Sequence, residues 1–355
     1  MKKALSSEES MLNIIRPCRI RSTGIYLPRA VESKEIEKKY GLPLGWSKKH
    51  SGVAKRHHVS YEDVGEMGAQ AAHSALDHAG LSLSDIDTFI TAGASTDQII
   101  PSQVAMTLEK MSGGNQARCE SFHVNTTCLS FVSAFKLAAD KLQFDETKYV
   151  LIVASEVSSV GIGPENWETL TLFGDGAAAV ILEKSKDEKS GLVNFKHQMY
   201  TEGILAAEIP GGHIRKWVKD YVYDPKLHHF QMDSRSLLRL TLKYLPDFIN
   251  DFFKSTGTSW PEVNWTVPHQ ASKTGLNMIP KIANVNPDQV INILSETGNC
   301  ISASIPMGIH KLISQDKLQK GETLFICGTS AGFSIGSLLY ILSLIHISEP
   351  TRHRS

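Results

Sequence analysis

"SFHVNTTCLSFVSAFKLAADKL", residues 121–142, joins a short apolar run to a helix-compatible one through small hydroxylated residues with a single cysteine among them. The pattern reads as strand, turn and buried helix, with Cys128 where the strand stops and the helix starts. A sulfur placed there meets free N–H groups and the positive end of the helix dipole, which favour the thiolate and bring its pKa below the usual ~8.5. Thr126 and Thr127 are placed to cap that end. The same amides can hold an oxyanion formed by attack on a thioester. A lone cysteine is more often a small buried hydrophobe, so the turn by itself decides nothing.

The same alternation of short apolar runs and longer helical patterns extends in both directions, the mark of an α/β fold. "VGEMGAQAAHSALDHAGL" (64–81) predicts a helix stopped at Gly80, and "IDTFITAG" (86–93), "KYVLIVASEV" (148–157) and "FGDGAAAVILEK" (173–184) predict strands. The charged "EKSKDEKSG" (183–191) is the linker candidate. Beyond it the order recurs. "SLLRLTLKYLPDFINDFFKSTG" (236–257) predicts a helix, "EVNWTVPH" (262–269) a strand, "SKTGLNMIPKIANV" (272–285) a helix and "QVINIL" (289–294) a strand. "SASIPMGIHKLISQ" (302–315) predicts a helix and "ETLFICGTSAGFSIGSLLYIL" (322–342) two strands around a glycine turn. The expectation is two similar βαβαβ-type halves, 1–185 and 186–342, although no letter-by-letter repeat links them.

Composition excludes several classes of function. With 355 residues and 37 basic against 37 acidic side chains, nothing points to nucleic acid or an anionic membrane as partner. "MKKALSSEES" lacks the apolar core of a signal peptide, and "GSLLYILSLIHI" (336–347) falls short of the ~20 apolar residues of a membrane span. A soluble, cytoplasmic protein is expected. The five cysteines are scattered with no C-x-x-C pair, so neither a disulfide framework nor a zinc site is indicated.

Two more polar turns stand where strands end. "TVPHQAS" (266–272) carries His269 behind a proline, and "ETGNCISASIP" (296–306) carries Asn299 in a Gly-Asn turn before a helix. Taken singly, a capping histidine and a turn-forming asparagine are the plainer roles. With Cys128 they make a nucleophile and two hydrogen-bond donors, the equipment for acyl transfer through a thioester followed by charge stabilisation on a second carbonyl.

From about residue 17 to residue 342 the chain resembles the β-ketoacyl-acyl-carrier-protein synthase III family of thiolase-fold condensing enzymes. The resemblance lies in an ordered set: "GIYLP" (24–28), Trp46, "SGVAKRHHV" (51–59), the cysteine turn, "FGDGAAAVIL", "VPHQAS", "GNCISASIP" and "GTSAGFSIGS". It implies a thiolase-like fold in five αβαβα layers, with Cys128, His269 and Asn299 as catalytic residues. Cys128 is acylated from acyl-CoA or an acyl-carrier protein, its oxyanion held by its own N–H and one from the turn Ser330, Ala331, Gly332. His269 and Asn299 hold the thioester carbonyl of a malonyl-type extender as CO₂ leaves, and the carbanion attacks the acyl-enzyme. Trp46, Ile100 and Phe173 are implied substrate-binding residues, Ile100 reaching across the interface of a homodimer. No cofactor and no metal is implied.

The sequence departs from the family pattern at several places. Where the family has two arginines that meet the nucleotide of CoA, this chain has His50 and Trp167; Thr274, beside Lys273, replaces a basic residue that docks acyl-carrier protein; and "NTTCLSF" replaces an alanine-rich context. A specialised donor is therefore as well supported as housekeeping priming. The alternatives are an acyltransferase or a non-decarboxylative acyl–acyl condensing enzyme using the same acyl-cysteine, and a non-catalytic partner subunit, which intact Cys128, His269 and Asn299 disfavour. Asp175 reads as a turn residue, Cys300 and Cys327 as structural, the His57–His58 and His228–His229 pairs as lacking metal companions, and 216–230 as a cover or interface. The tail 343–355 lies outside the family pattern and is assigned no function.

Overall fold

A computed structural model describes residues 16–343 apart from 145, 218, 220 and 221; the amino-terminal "MKKALSSEES" and residues 344–355 of the tail lie outside it. Nine strands share one sheet, in the order Trp265–Pro268, Thr323–Ser330, Ser334–Ile341, Gly191–Met199, Arg16–Tyr26, Gly176–Lys184, Tyr149–Glu156, Thr88–Ala92, Glu120–Val124. The halves join at its centre, where Arg16 and Pro17 face Leu192 and Gly191. Outward from that seam the two halves repeat one pattern. Two antiparallel steps lead to the strands Tyr149–Glu156 and Thr323–Ser330, each followed by a parallel neighbour, Thr88–Ala92 and Trp265–Pro268.

Apolar periodicity explains the layers. The helix Val64–Ala79 opens on Asp63, whose carboxylate accepts the Glu66 N–H at 2.6 Å, and closes on Gly80 at φ 66°. Its alanine face packs on Phe89, Leu151, Val153, Ala177 and Ile181, the outer side of the first half. The helix Ser130–Lys141 is apolar on both sides: Phe131, Ala134, Phe135 and Ala138 share one core with Ile90, Val150 and Ile152 of the first half and with Ile326, Leu338 and Tyr340 of the second. The helix Ser304–Ser314 adds Ile305 and Ile309 to that core. Phe252 and Phe253 of the helix Ser234–Lys254 cover Phe325 and Leu339 on the far side. The result is five layers: helix, the first half of the sheet, two central helices, the second half of the sheet, helix.

One expected strand is absent. "QVINIL" contributes a single bridge, between Val290 and Thr266. Its backbone is satisfied by a side chain instead of a ladder: Gln270 Nε2 donates to Ile291 O at 3.1 Å, and Gln270 Oε1 accepts from Ile293 N at 2.9 Å and Leu294 N at 3.1 Å. Gln270 is buried beside His269, so this stretch serves the histidine turn.

Candidate active site

The strand Glu120–Val124 ends because Asn125 Oδ1 captures the Thr127 N–H at 2.9 Å, turning the chain through Thr127 at φ 50°. A 3₁₀ turn, Thr127–Leu129, then feeds the helix Ser130–Lys141, and Ser130 Oγ accepts the Thr126 N–H at 2.9 Å. The expected threonine caps do not form. Thr126 Oγ1 meets Ser133 Oγ at 3.0 Å and Thr127 Oγ1 meets the Ser330 hydroxyl instead.

The backbone N–H of Ala331, the Ser330 hydroxyl and the N–H of Cys128 itself face the Cys128 sulfur. Burial nevertheless pushes the thiol up to about 11, with the Ala331 N–H opposing. The helix-terminus argument predicts a depressed pKa; desolvation outweighs it, and Cys128 rests as the neutral thiol at pH 7. An oxyanion at a carbonyl joined to the sulfur would form within reach of the Ala331 and Cys128 N–H groups. Ser330 is buried and Gly332 turns the chain at φ 73°.

His269 follows the strand Trp265–Pro268, its N–H donating to Cys327 O at 2.8 Å. The residue beside it must be glycine. A Cβ on Gly328 would lie 2.6 Å from His269 Cβ and 3.2 Å from Leu129 Cδ2, so the bare backbone lets the histidine and the cysteine turn close on one strand. Burial lowers the imidazole to about 4, making it neutral at pH 7, and its Nδ1 is buried with no partner.

Asn299 is set by Gly298 at φ 69°, where a Cβ would sit 2.7 Å from Leu172 O. Its backbone bridges Phe173: Asn299 N donates to Leu172 O at 2.9 Å, and Gly174 N to Asn299 O at 3.1 Å. Asn299 Oδ1 accepts the Ile301 N–H at 2.9 Å, which fixes the amide and leaves Nδ2 to donate. The Ile301–Ala303 turn packs on the Thr127–Leu129 turn, which also touches the strand Thr323–Ser330. Cys128, His269, Asn299 and the 330–332 turn are thereby drawn to one place.

The two turns are one motif used twice. Asn299, Ile301 and Ser304 repeat Asn125, Thr127 and Ser130: the Asn accepts an N–H two residues on, the third residue takes a positive φ (48° at Ile301), and Ser304 Oγ accepts the Cys300 N–H at 3.1 Å. Ser302 then holds the place that Cys128 holds in the first half. Each half also reaches into the other's turn from the end of a strand. Ser330 donates to Thr126 O at 2.9 Å, and Glu156 Oε1 lies 2.6 Å from Ser302 Oγ. Sequence reasoning passed over Glu156 and Ser302; the recurring "NTTCLS" and "NCISAS" were the available signal.

The remaining expected residues are spread around this centre. Phe173 is buried beside Asn299 and stacks edge-on with Phe230 at 5.3 Å, so the end of the 216–230 insert covers it. Trp46 stands further out, stacked on His50 at 4.4 Å and edge-on to Trp167 at 5.9 Å; the three form one aromatic group. Lys273 Nζ donates to Lys49 O at 3.0 Å at the end of the helix carrying Trp46, and Thr274 is exposed. Ile100 is 83% exposed, next to Ile99 at 60%, on a loop tip outside the centre. Asp175 is buried and accepts from Val59, Ser158 and Ser159, a structural clamp, and Cys300 and Cys327 are buried. Among the described residues no group of three or more His, Cys, Asp or Glu is placed to hold a metal ion, and no helix is long and apolar enough to cross a membrane.

A family model described as 3-oxoacyl-[acyl-carrier-protein (ACP)] synthase III matches residues 122–203, and one described as its C terminal matches residues 253–341. The chain is 28% identical to the beta-ketoacyl-[acyl-carrier-protein] synthase III of Neisseria meningitidis serogroup B, over 90% of this chain and 98% of that protein. The crystal structure of the 3-oxoacyl-(acyl carrier protein) synthase III of Pseudomonas aeruginosa superposes with a TM-score of 0.83 at 21% identity, covering 93% of this chain and 99% of the other. That of the priming β-ketosynthase of the R1128 polyketide pathway gives 0.81 at 23% identity, covering 94% and 98%. The fold is the thiolase-like one that the sequence led us to expect.

Proposed function

The chain belongs to the 3-oxoacyl-[acyl-carrier-protein] synthase III family, and from that premise we propose that it is a condensing enzyme in fatty-acid or specialised lipid or polyketide biosynthesis, with Cys128 as its nucleophile. The Cys128 thiol exchanges with an acyl-CoA or acyl-carrier-protein thioester: a C–S bond forms to Cys128, the donor's C–S bond breaks, and the thiol proton leaves with the donor thiol. Ala331 N–H and Cys128 N–H hold the oxyanion of that step. His269 and Asn299 then donate to the thioester oxygen of a malonyl-type extender, whose C–C bond to the carboxylate breaks to give CO₂ and an enolate. The enolate carbon bonds to the acyl carbonyl, the C–S bond to Cys128 breaks, and the released thiolate takes a proton from water to return to the thiol, with no resident cofactor or metal.

The observation that carries this reading is the division of donors. The amides beside the sulfur serve the acyl group, whereas the neutral imidazole of His269 and the oriented amide of Asn299 are free to serve a second carbonyl. A neutral donor at that oxygen is matched to a charge that appears only as CO₂ departs. A non-decarboxylative condensation needs a base free to remove an α-proton, and the carboxyl near Cys128, Glu156, is engaged by Ala94, Ser95 and Ser302.

We also propose that it works in the cytoplasm and that it is a homodimer, the latter supported by the exposed apolar tip at Ile99 and Ile100. The test is intact-protein mass spectrometry after incubation with a panel of acyl-CoAs and acyl-carrier proteins, followed by a malonyl thioester. The expected result is one acyl mass on the parent chain, none on Cys128→Ser, and its loss with CO₂ release when extender is added. An acyl group retained on Cys128→Ser overturns the assignment of the nucleophile; an acyl-enzyme that never releases CO₂ with any extender overturns the condensation.

A further inference from the structure

Glu156 is a buried carboxyl to which the chemistry above gives no task, and it sits where three elements around Cys128 meet. Its Oε1 accepts the Ala94 N–H at 2.9 Å and its Oε2 the Ser95 N–H at 2.8 Å, at the root of the loop that carries Ile100. Across the seam, Ser302 Oγ lies 2.6 Å from Oε1 and 2.9 Å from Ala92 O. Ser302 has one hydroxyl proton for two acceptors. If that proton goes to Ala92 O, two lone-pair oxygens stand 2.6 Å apart unless Glu156 itself carries a proton; if it goes to Glu156, the Ala92 carbonyl loses this donor. Both contacts are satisfied together only in the chain Glu156 O–H to Ser302 O–H to Ala92 O.

We propose that Glu156 is a protonated positioning residue that pins Ser302, and through it the turn carrying Asn299, against the turn carrying Cys128. Its neighbours agree. Among the described residues no cation is ion-paired with it; burial raises its pKa, and the hydroxyls of Ser302 and Ser95 with the Ala94 and Ser95 amides only partly oppose that. The titratable groups that feel it are Cys128 on one turn and Cys300 on the other, with Asp175 beyond Cys300. A carboxylate here would oppose every negative charge formed at Cys128, whereas the acid holds the same geometry without that penalty. In the repeated turn, Ser302 stands where the other half keeps its nucleophile, so the second half has turned a reactive position into a fastening.

The effect on condensation rests on the reading of function above; the charge state of Glu156 does not. The experiment follows the rate of Cys128 alkylation by iodoacetamide against pH, by peptide mass mapping, alongside acylation and condensation rates. Glu156→Gln keeps an N–H for Ser302 and an oxygen for the Ser95 amide while costing the Ala94 N–H its acceptor, so its alkylation profile should superimpose on the parent's and its condensation should fall less than in the alanine variants. Glu156→Ala and Ser302→Ala should still be acylated but lose condensation by about tenfold or more, the worth of one buried hydrogen bond. A Glu156→Gln profile displaced to lower pH shows an ionised carboxylate and overturns the proposal. So does full condensation in both alanine variants, or in Ser302→Ala should Glu156→Ala fail to fold. A parent chain that does not condense overturns the functional reading and leaves the alkylation comparison intact.

Discussion

Cys128 and Ser302 occupy the same position of one turn built twice, and each is faced by the last residue of a strand from the opposite half, Ser330 and Glu156. The centre is thus a place where two halves interlock as well as a cluster of three side chains. A change in one half is felt by the chemistry carried on the other.

Gly328 makes that interlock possible. Because a Cβ there would come within 2.6 Å of His269 Cβ and 3.2 Å of Leu129 Cδ2, Gly328→Ala should push the histidine away from the cysteine turn. Overpacking of this kind costs about 1–3 kcal/mol, readable by urea unfolding. Condensation should fall more than acylation, since His269 serves only the former. Equal losses in the two half-reactions would mean that the whole site has shifted.

The main elements and their order were legible because strand and helix periods dominate where both neighbours are apolar, as in "KYVLIVASEV" and "SFVSAFKLAADKL". "QVINIL" failed because Gln270, distant in sequence, supplies the partners that a strand would need. The thiol's raised pKa was hidden for a related reason: a helix terminus is visible in a sequence, whereas depth of burial is not. Glu156 escaped notice because an acidic residue closing an apolar strand reads as the point where the strand meets solvent. Only the fold shows that this end faces the second half.

His269 should limit stability in acid. Its folded pKa is about 4 against ~6.5 in the unfolded chain, so the unfolded state binds the proton first, and stability present above pH 6.5 is lost as pH falls toward 4. At pH 5 this amounts to about 2 kcal/mol, taking ~1.36 kcal/mol per unit. His269→Asn should therefore lose less stability than the parent between pH 7 and pH 5 in urea titrations. An identical pH dependence would show that His269 is protonated in the fold or relieved by movement.

Ile100 tests the assembly. An isoleucine 83% exposed beside another at 60% is an apolar tip without a partner in one chain, and a second copy is its expected cover. Sedimentation should give a dimer at micromolar concentration. Ile100→Trp should then shorten the longest acyl chain retained on Cys128 without moving the site of acylation. An unchanged acyl range would place the tip away from the acyl pocket.

The sharpest test concerns His269 and Asn299 together. Both donate to one oxygen in the proposed decarboxylation, and neither is needed when Cys128 takes its acyl group, because Ala331 and Cys128 supply those donors. His269→Ala and Asn299→Ala should each still accept the acyl group and lose condensation by about 10²–10³-fold, the usual cost of removing one donor from a developing oxyanion. The double variant should lose less than the product of the two, since the residues share one charge. Measured acyl-enzyme formation separates this from the simplest rival. If His269→Ala slows acylation as much as condensation, the histidine acts as the base for the neutral Cys128 thiol, and the enzyme is a Cys-His acyltransferase whose second carbonyl is held by Asn299 alone.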